Sequence, residues 1–406
     1  MSTATNMNEQ TDLPSFPGAR DGKCPFDPPP VHTDWRQGEG LGRAVWNGSP
    51  VWVLTRHEDI RAAMGDPRIS ADFRRPDFPG WSPRSENEPG IFPRMDDPEH
   101  ARLRRMLTKD FTVKRAEQLR PHVQEIVDDH LAQMISSGQP ADLVHKFALP
   151  IPSLVISLML GVPYSDHAFF QGHSDTVNND KATPEEKRAA HGALFMYLLD
   201  LVGRKEREPG DDLISRLLSE QVAVGELSRE EAAMTCIVLL IAGHETTANM
   251  IALGTLALLE NPDQLARMRD TDDPAVIAKT VEELLRYLTI AQDMVARVAT
   301  EDLTIGGQLI RAGEGLLVSL PAGNRDTAFL DQPDALDVDR NARGHLAFGY
   351  GVHQCLGQSL ARVELQIALP TLLRRLPGLR LAIPIEQVKF RHGMATYGVH
   401  ELPVAW

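Results

Sequence analysis

A capping box formed by Ser228 and Glu231 opens a helical segment that runs to about Leu259. Thirty-odd residues at about 1.5 Å each make a rod of roughly 45 Å, long enough to cross a domain. From Arg115 to roughly Leu285 nearly all of the chain around it reads as helix, with breaks near Gly138, Gly161 and Gly210. Helical periodicity also covers His57 to Met64 and Pro98 to Leu107, and a last long helix runs from Leu356 to about Arg375. Strand signals are few and short: Val51 to Leu54, Leu316 to Leu320, and pieces at the carboxy-terminal end. The pattern predicts a mainly α fold with a minor β region.

Two stretches read as irregular. Residues 1–40 form a leader in which Pro25, Pro28, Pro29 and Pro30 prevent helix. Ser70 to Asp97, with five prolines and two glycines, reads as a long surface loop of the kind that carries function or stays disordered. No linker or lasting shift in composition divides the 406 residues, so one large domain is expected. At 42% hydrophobic residues the chain can bury a large core and still enclose a cofactor.

A formal net charge of −14 argues against nucleic-acid binding, which wants a basic domain. Met1 to Pro17 is polar, and the longest apolar runs, around Cys236 to Ala242 and Met250 to Leu259, read as too short to cross a bilayer. The expectation is a cytoplasmic protein with no membrane segment. Cys24, Cys236 and Cys355 lie far apart with no CxxC spacing, which argues against a disulfide framework or a zinc ribbon.

The chemistry concentrates in His345-Leu-Ala-Phe348-Gly349-Tyr-Gly351-Val-His353-Gln-Cys355-Leu-Gly357. Glycines let a backbone come close to a flat ligand. A helix start supplies unpaired N–H groups and a positive dipole end, which favour thiolate over thiol at Cys355. An isolated cysteine in a turn is more often an inert small hydrophobe, and Cys24 and Cys236 read that way. Three other segments are unremarkable alone. Glu283 and Arg286 sit at i, i+3 on one helical face, usually a minor surface salt bridge. His100 and Arg104, four apart, read as a solvated basic helix. Ala242-Gly243-His244-Glu245-Thr246-Thr247 is poor helix material, and the Thr246 hydroxyl can bond the Ala242 carbonyl and open a local groove.

Together, and in this order, these segments resemble the cytochrome P-450 family, from about Cys24 to Leu402-Pro403-Val404. The run FGxGxHxCxG is similar to its haem-binding signature with every fixed position matched, so the resemblance makes Cys355 the axial ligand of a haem b iron. It implies a single domain with haem between the long central helix and the cysteine loop, in which Phe348, Gly349, Gly351 and Gly357 shape the cofactor site. It implies that Glu283 and Arg286 are buried and joined by Arg340 from a loop ahead of the cysteine. His100 and Arg104, with Arg297 and His345, become the haem propionate contacts. Ala242, Gly243, Glu245 and Thr246 become the oxygen-binding groove and proton relay, Glu245 pointing toward side chains that reach solvent.

The implied activity is a monooxygenase that inserts one atom of O2 into a C–H bond. Within the family, CPFDPP near the start and AGHETTANM resemble soluble actinobacterial enzymes acting on macrolides, secosteroids, statin precursors and foreign compounds. No flavin or NAD(P) signature follows Cys355, so NAD(P)H electrons are expected through a separate ferredoxin and its reductase. Arg102, Arg104, Arg105, Lys109 and Arg362 are the expected docking face for an acidic ferredoxin. A monomer acting on a small-molecule substrate is expected. Ser70 to Arg94, Pro163 to Asp200, Ile290 to Ala296 and Met394 to Tyr397 are the expected pocket segments, and Arg74, Arg75, Arg84 and Arg94 read as solvated charges ahead of contacts to an acidic substrate. Two other readings share these residues: a haem-thiolate peroxygenase, dehydratase or isomerase, and a haem-dependent sensor or carrier. The presence of Glu245 and Thr246 favours the monooxygenase.

The ligand assignment has a direct check. Cys355→His should abolish the long-wavelength Soret band of the ferrous carbonyl form, and replacement of Cys24 or Cys236 should leave it. The reverse pattern in the absorption spectrum would move the ligand to another cysteine.

Overall fold

The computed structural model describes residues 13–22, 24–80, 91–178 and 182–406. In chain order the first elements are α1 (Pro30–Gln37), β1 (Gly42–Trp46), β2 (Ser49–Leu54), α2 (His57–Gly65), β3 (Ile69–Ser70) and α3 (Glu99–Thr108). There follow α4 (Val113–Ser136), β4 (Ala141–Asp142), α5 (Pro150–Leu160), α6 (His167–Asn178), α7 (Pro184–Arg207), α8 (Leu213–Leu217) and α9 (Arg229–Leu259). Next are α10 (Pro262–Arg269), α11 (Pro274–Leu288), β5 (Ala296–Ala299), β6 (Leu303–Ile305), β7 (Gln308–Ile310) and β8 (Gly315–Val318). The last are α12 (Leu320–Gly323), α13 (Gln358–Arg375), β9 (Arg380–Leu381) and β10 (Pro403–Ala405). The mainly α reading with minor sheet holds.

The chain groups into two compact units. One is Met1–Ala101 with Lys279–Cys355 and Ala395–Tyr397; the other is Arg102–Ala278 with Leu356–Met394 and Gly398–Trp406. The first carries a five-stranded sheet in the order β1-β2-β8-β5-β3, antiparallel except for the parallel β2–β8 pair. Apolar residues cover both faces. Leu54, Leu316 and Val318 join Ile60 and Leu346 on one side, and Val51, Val53, Leu317 and Val298 join Phe16 and Phe73 on the other. With both faces covered, β5 and β8 are buried at every position instead of alternating.

The leader departs from expectation. Pro30 does not prevent helix; it begins α1. At the first helical position the missing N–H has no partner to lose, and the fixed φ suits the helix. The stretch at Phe26 and Asp27 is tied down by Arg325, an almost fully buried side chain that donates to the Phe26 and Tyr287 carbonyls and pairs with Asp27 at 3.1 Å.

In the second unit α9 packs against α5, α7 and α13, and α13 lies along α4. The capping box forms as read, with Ser228 Oγ accepting from the Glu231 N–H at 3.0 Å and Glu231 accepting from the Ser228 N–H at 2.8 Å. The two apolar runs that looked too short are parts of one continuous 31-residue helix, long and apolar enough to cross a membrane. Two thirds of its most apolar window is buried inside the protein, as befits a core helix that is hydrophobic all round. α13 is tied to α4 by Gln366 and Thr371, which accept from Arg120 at 2.9 Å and Gln124 at 3.3 Å.

α13 also buries Glu364, whose Oε2 has no hydrogen-bond partner among the described residues. Burial pushes its carboxyl up from 4.5 to about 8. The folded chain therefore keeps a proton that the unfolded chain releases, so between pH 4.5 and about 8 stability should fall as pH rises, by up to a few kcal/mol. Glu364→Gln should flatten that slope and raise the denaturation midpoint at pH 9 relative to the parent. Equal pH slopes in urea titrations of the two proteins would show that Glu364 is solvated.

Candidate functional site

Cys355 ends a loop whose shape is set by its glycines. Gly349 and Gly351 take φ of 71° and 72°, a left-handed conformation that side chains with a Cβ rarely adopt. At Gly351 a Cβ would fall 2.4 Å from the Met64 carbonyl oxygen, so only glycine lets the loop lie against the end of α2. The turn is closed by backbone bonds: Gly349 N–H donates to the Leu346 carbonyl at 2.8 Å, and Cys355 N–H to the Phe348 carbonyl at 2.9 Å. Helix α13 begins shortly after, at Gln358, with Gly357 as its N-cap residue.

Of the three cysteines only Cys355 is exposed. Cys236 is buried within α9, and burial pushes its thiol up to about 12. Cys24 lies 3.9 Å from the Tyr287 hydroxyl. A thiolate ligand needs access, and exposure distinguishes Cys355 from the other two cysteines.

The loop hangs on a buried ion pair. Glu283 and Arg286, both fully buried on α11, meet in a two-pronged contact at 2.7 Å on each side. Arg286 donates its remaining hydrogens to the carbonyls of Asn324, Pro333 and Ala335 at 2.7–3.0 Å. Arg340 joins as expected, 3.4 Å from Glu283, which also accepts the Asp337 N–H at 3.0 Å. Asn324 extends the network: it accepts the Leu346 N–H at 2.6 Å and donates to Thr289 at 2.8 Å.

Arg297 stands on β5, paired across the sheet with Leu316, and is only 8% exposed. Burial, reinforced by nearby Arg94 and opposed by Asp96, pushes its guanidinium down to about 10. Among the described residues its one hydrogen bond goes to the Ala296 carbonyl at 2.8 Å, and no carboxylate pairs with it. A buried cation left this way is costly unless an anion completes it. The haem propionates are such anions, so the residues present fit the group.

The histidines are partly reassigned. His100 is buried and packs against His353, their ring centroids 4.2 Å apart and their planes tilted by 42°, with His100 Nδ1 3.1 Å from Asp97 Oδ1. His345, expected at a propionate, is instead engaged within the protein. Its Nε2 lies 3.0 Å from Glu282 Oε2, and its Nδ1 accepts the Ala347 N–H at 3.1 Å. With both ring nitrogens used, His345 is a strut of the loop. His353, which the sequence reading quoted in the motif without giving it a role, takes the place beside His100. Arg104, half-buried on α3, follows His100 by one turn.

In the second unit Thr246 Oγ1 donates to the Ala242 carbonyl at 2.7 Å, the bond expected from the spacing. The helix is unbroken there. Gly243 lets α5 approach: a Cβ on it would sit 3.3 Å from Ile156. Glu245 does not face open water. It forms a salt bridge with Arg391, and each of the two side chains is 13% exposed. Arg391 was not singled out from sequence; it lies 146 residues away with no spacing to mark it.

The expected docking cations are mostly spoken for. Arg102 pairs with Glu231 at 2.8 Å, and Lys109 with Glu220. Arg362 donates to Gln358 Oε1 on its own helix at 3.0 Å. Arg105 remains exposed. Two of the loop arginines are paired as well: Arg74 with Asp72 at 2.7 Å and Glu99 at 2.9 Å, and Arg75 with Asp77 at 3.1 Å. Arg84 lies outside the described residues. Two expected pocket segments meet, Gln292 N–H donating to the Ala395 carbonyl at 2.9 Å and Tyr397 N–H to the Ile290 carbonyl at 2.7 Å.

A family model described as Cytochrome P450 matches residues 203–377. The chain is 54% identical over 408 residues to Cytochrome P450-SU2 of Streptomyces griseolus, with 100% of both chains covered. It is 46% identical over 411 residues to the Vitamin D3 dihydroxylase of the same organism, again with 100% of each covered. The crystal structure of GfsF superposes with a TM-score of 0.92 at 51% identity, covering 97% of this chain and 100% of that one.

The reassignment of the histidines is open to measurement. Arg297→Ala and His353→Ala should speed haem loss to apomyoglobin by about 10- to 100-fold, the worth of a charge-assisted hydrogen bond. His345→Gln should alter thermal stability and leave the rate of haem transfer near that of the parent. Haem loss accelerated by His345→Gln as strongly as by Arg297→Ala would restore His345 to the propionates.

Proposed function

Because this chain belongs to the cytochrome P450 family, we propose that its monooxygenase activity hydroxylates a mid-sized to large, largely apolar small molecule. Natural products, secosteroids, macrolides, statin precursors and foreign compounds are the candidate class. Electrons come from NAD(P)H through a separate ferredoxin and its reductase. The protein works in the cytoplasm as a single-domain monomer, without nucleic acid or membrane.

When bound, haem supplies the activation of O2 and the insertion of one oxygen atom into a C–H bond; the chain's own residues prepare that chemistry. Cys355 holds the iron as thiolate, in a loop fixed by Gly349, Gly351 and the Glu283–Arg286 pair. Arg297, His100 and His353, with Arg104, hold the propionates. An apolar substrate suits a loop in which Arg74 and Arg75 are already paired with carboxylates. Met294, 41% exposed and 3.8 Å from the Thr396 hydroxyl, offers such a substrate a polarisable apolar surface. The name of the Vitamin D3 dihydroxylase, a relative along its whole length, supports a secosteroid-sized substrate.

The observation that carries the oxygenase reading is the Thr246–Ala242 bond. It ties a hydroxyl to the carbonyl one turn back on the central helix, next to Glu245 in the chain. There Thr246 positions the last proton donor and Glu245 supplies the proton, a general-acid role worth about 10²–10⁴-fold. Peroxygenase and isomerase relatives do not need that pair.

A spin-state screen of a compound library identifies a ligand, and turnover with surrogate ferredoxin and reductase then tests the role. Thr246→Ala should bind haem and ligand and consume NADPH, yet yield at least about tenfold less product per NADPH, with peroxide in its place. Coupling equal to the parent would remove Thr246 from the relay.

A further inference from the structure

The ribbon that carries Met294 does not hold itself. It is made by residues 290–292 and 395–397, joined by two backbone bonds around a bridge between Ala291 and Thr396. A two-stranded piece this short is marginal in water without outside support. It also leaves a strained turn. Thr289, just ahead of it, takes φ of 32°, a conformation that is costly for a β-branched residue and persists only where the surroundings impose it.

Support comes from the leader. Arg20 Nε donates to Gln292 Oε1 at 2.9 Å, and its guanidinium carbon lies 3.7 Å from the centre of the Tyr397 ring. One side chain thus grips both strands of the ribbon, the first by a charge-assisted hydrogen bond and the second by cation–π attraction. The Tyr397 hydroxyl returns a bond to the leader, donating to the Pro25 carbonyl at 2.7 Å, and Arg20 itself donates to the Asp27 carbonyl. Burial pushes the Arg20 guanidinium down to about 10, opposed by Tyr397, so it stays charged at neutral pH. A further tie to this stretch, from Trp46 Nε1 to Asp293 Oδ2, is longer, at 3.4 Å.

The leader has its own footing. Phe16 N–H donates to the Val45 carbonyl at 2.9 Å and Val45 N–H to the Pro14 carbonyl at 2.8 Å, on β1 at the end of the sheet. His32 Nε2 lies 2.7 Å from the Pro17 carbonyl oxygen. A side chain on a loose segment would follow the ribbon; one on an anchored segment sets its place.

We infer that Arg20 is a positioning residue for the substrate: it fixes the ribbon, and with it Met294 and Thr396, and so sets how bulky a molecule the site admits. The inference rests on the reading of Ile290 to Ala296 and Met394 to Tyr397 as pocket segments. Met294 stands two residues after Gln292 and is 41% exposed, so a shift of the ribbon moves the surface offered to an apolar substrate.

Three probes that ligate ferric haem and differ in bulk read the fit: imidazole, 1-benzylimidazole and 1-tritylimidazole, each titrated into holoprotein by the shift of the Soret band. Arg20→Met keeps an apolar stem and removes the charge and the donors. It should leave the imidazole Kd within about twofold of the parent and change the benzyl-to-trityl Kd ratio by about tenfold or more, the worth of a hydrogen bond to a charged group. Gln292→Leu should change the ratio in the same direction, and the double variant should add little, because both substitutions remove one contact. Arg20→Lys, which keeps a charge, should fall between parent and Arg20→Met. The titration reads only haem-loaded protein, so a lower yield of a variant does not obscure the ratio. A ratio unchanged in Arg20→Met overturns the brace, as do effects of Arg20→Met and Gln292→Leu that simply add. Equal losses for all three probes would mark a structural role only and overturn it as well. Met294→Ala separates the two readings. If it changes the ratio while Arg20→Met does not, the pocket reading stands and the brace falls; if it leaves the ratio unchanged, the ribbon is no part of the pocket and both fall.

Discussion

The contact between Glu283 and Arg286 is the constraint on which the thiolate loop depends. Both side chains are fully buried, and charges so placed are costly unless every lone pair and hydrogen finds a partner. The chain meets that demand by bringing three carbonyls, from Asn324, Pro333 and Ala335, onto one guanidinium. Those carbonyls belong to an irregular stretch with little regular structure of its own. The pair therefore does for a loop what a sheet ladder does for a strand. Asn324 passes the constraint onward, because its side chain accepts the Leu346 N–H at the entrance to the glycine turn. Cys355 is held at the end of this chain of bonds.

Arg297 shows the opposite arrangement. It is as buried as many core residues, and no carboxylate of the described chain pairs with it. A fold that satisfied Arg286 with three carbonyls left Arg297 with one from its own neighbour. We propose that the difference is functional, the missing anion coming with the cofactor. On this account the apoprotein carries a local electrostatic cost that haem binding relieves, which couples cofactor loading to stability.

Much of this was legible in the sequence, for identifiable reasons. The long helix announced itself because its capping box and apolar content are local signals, and the Thr246–Ala242 bond because four residues span one turn. Cys355 and the Glu283–Arg286 pair were legible because each is carried by a contiguous motif. What failed depended on contacts between distant segments. His345 and His353 are both near the cysteine, and only the fold decides that the first reaches Glu282 and the second His100. The partner of Glu245 lies 146 residues away, and the docking cations Arg102 and Lys109 were counted without the carboxylates that meet them. Pro30 was misread for another reason: a proline blocks a helix from within and favours one at its first position, and composition alone does not say which.

The second unit places two carboxyl groups among apolar helices and treats them differently. Glu364 has no partner among the described residues, so burial keeps it neutral. Glu245 instead shares a salt bridge with the Arg391 guanidinium. A neutral buried acid cannot be recharged by small movements, because nothing nearby stabilises its anion. A carboxylate beside a guanidinium is in the opposite situation, because the partner's charge favours its anion. The partner of Glu245 comes from outside its helix: Arg391 is placed by its N–H on the Gly398 carbonyl and its Nε on the Val399 carbonyl, so the long helix meets this charge with a distant segment and not with a neighbour on its own turn.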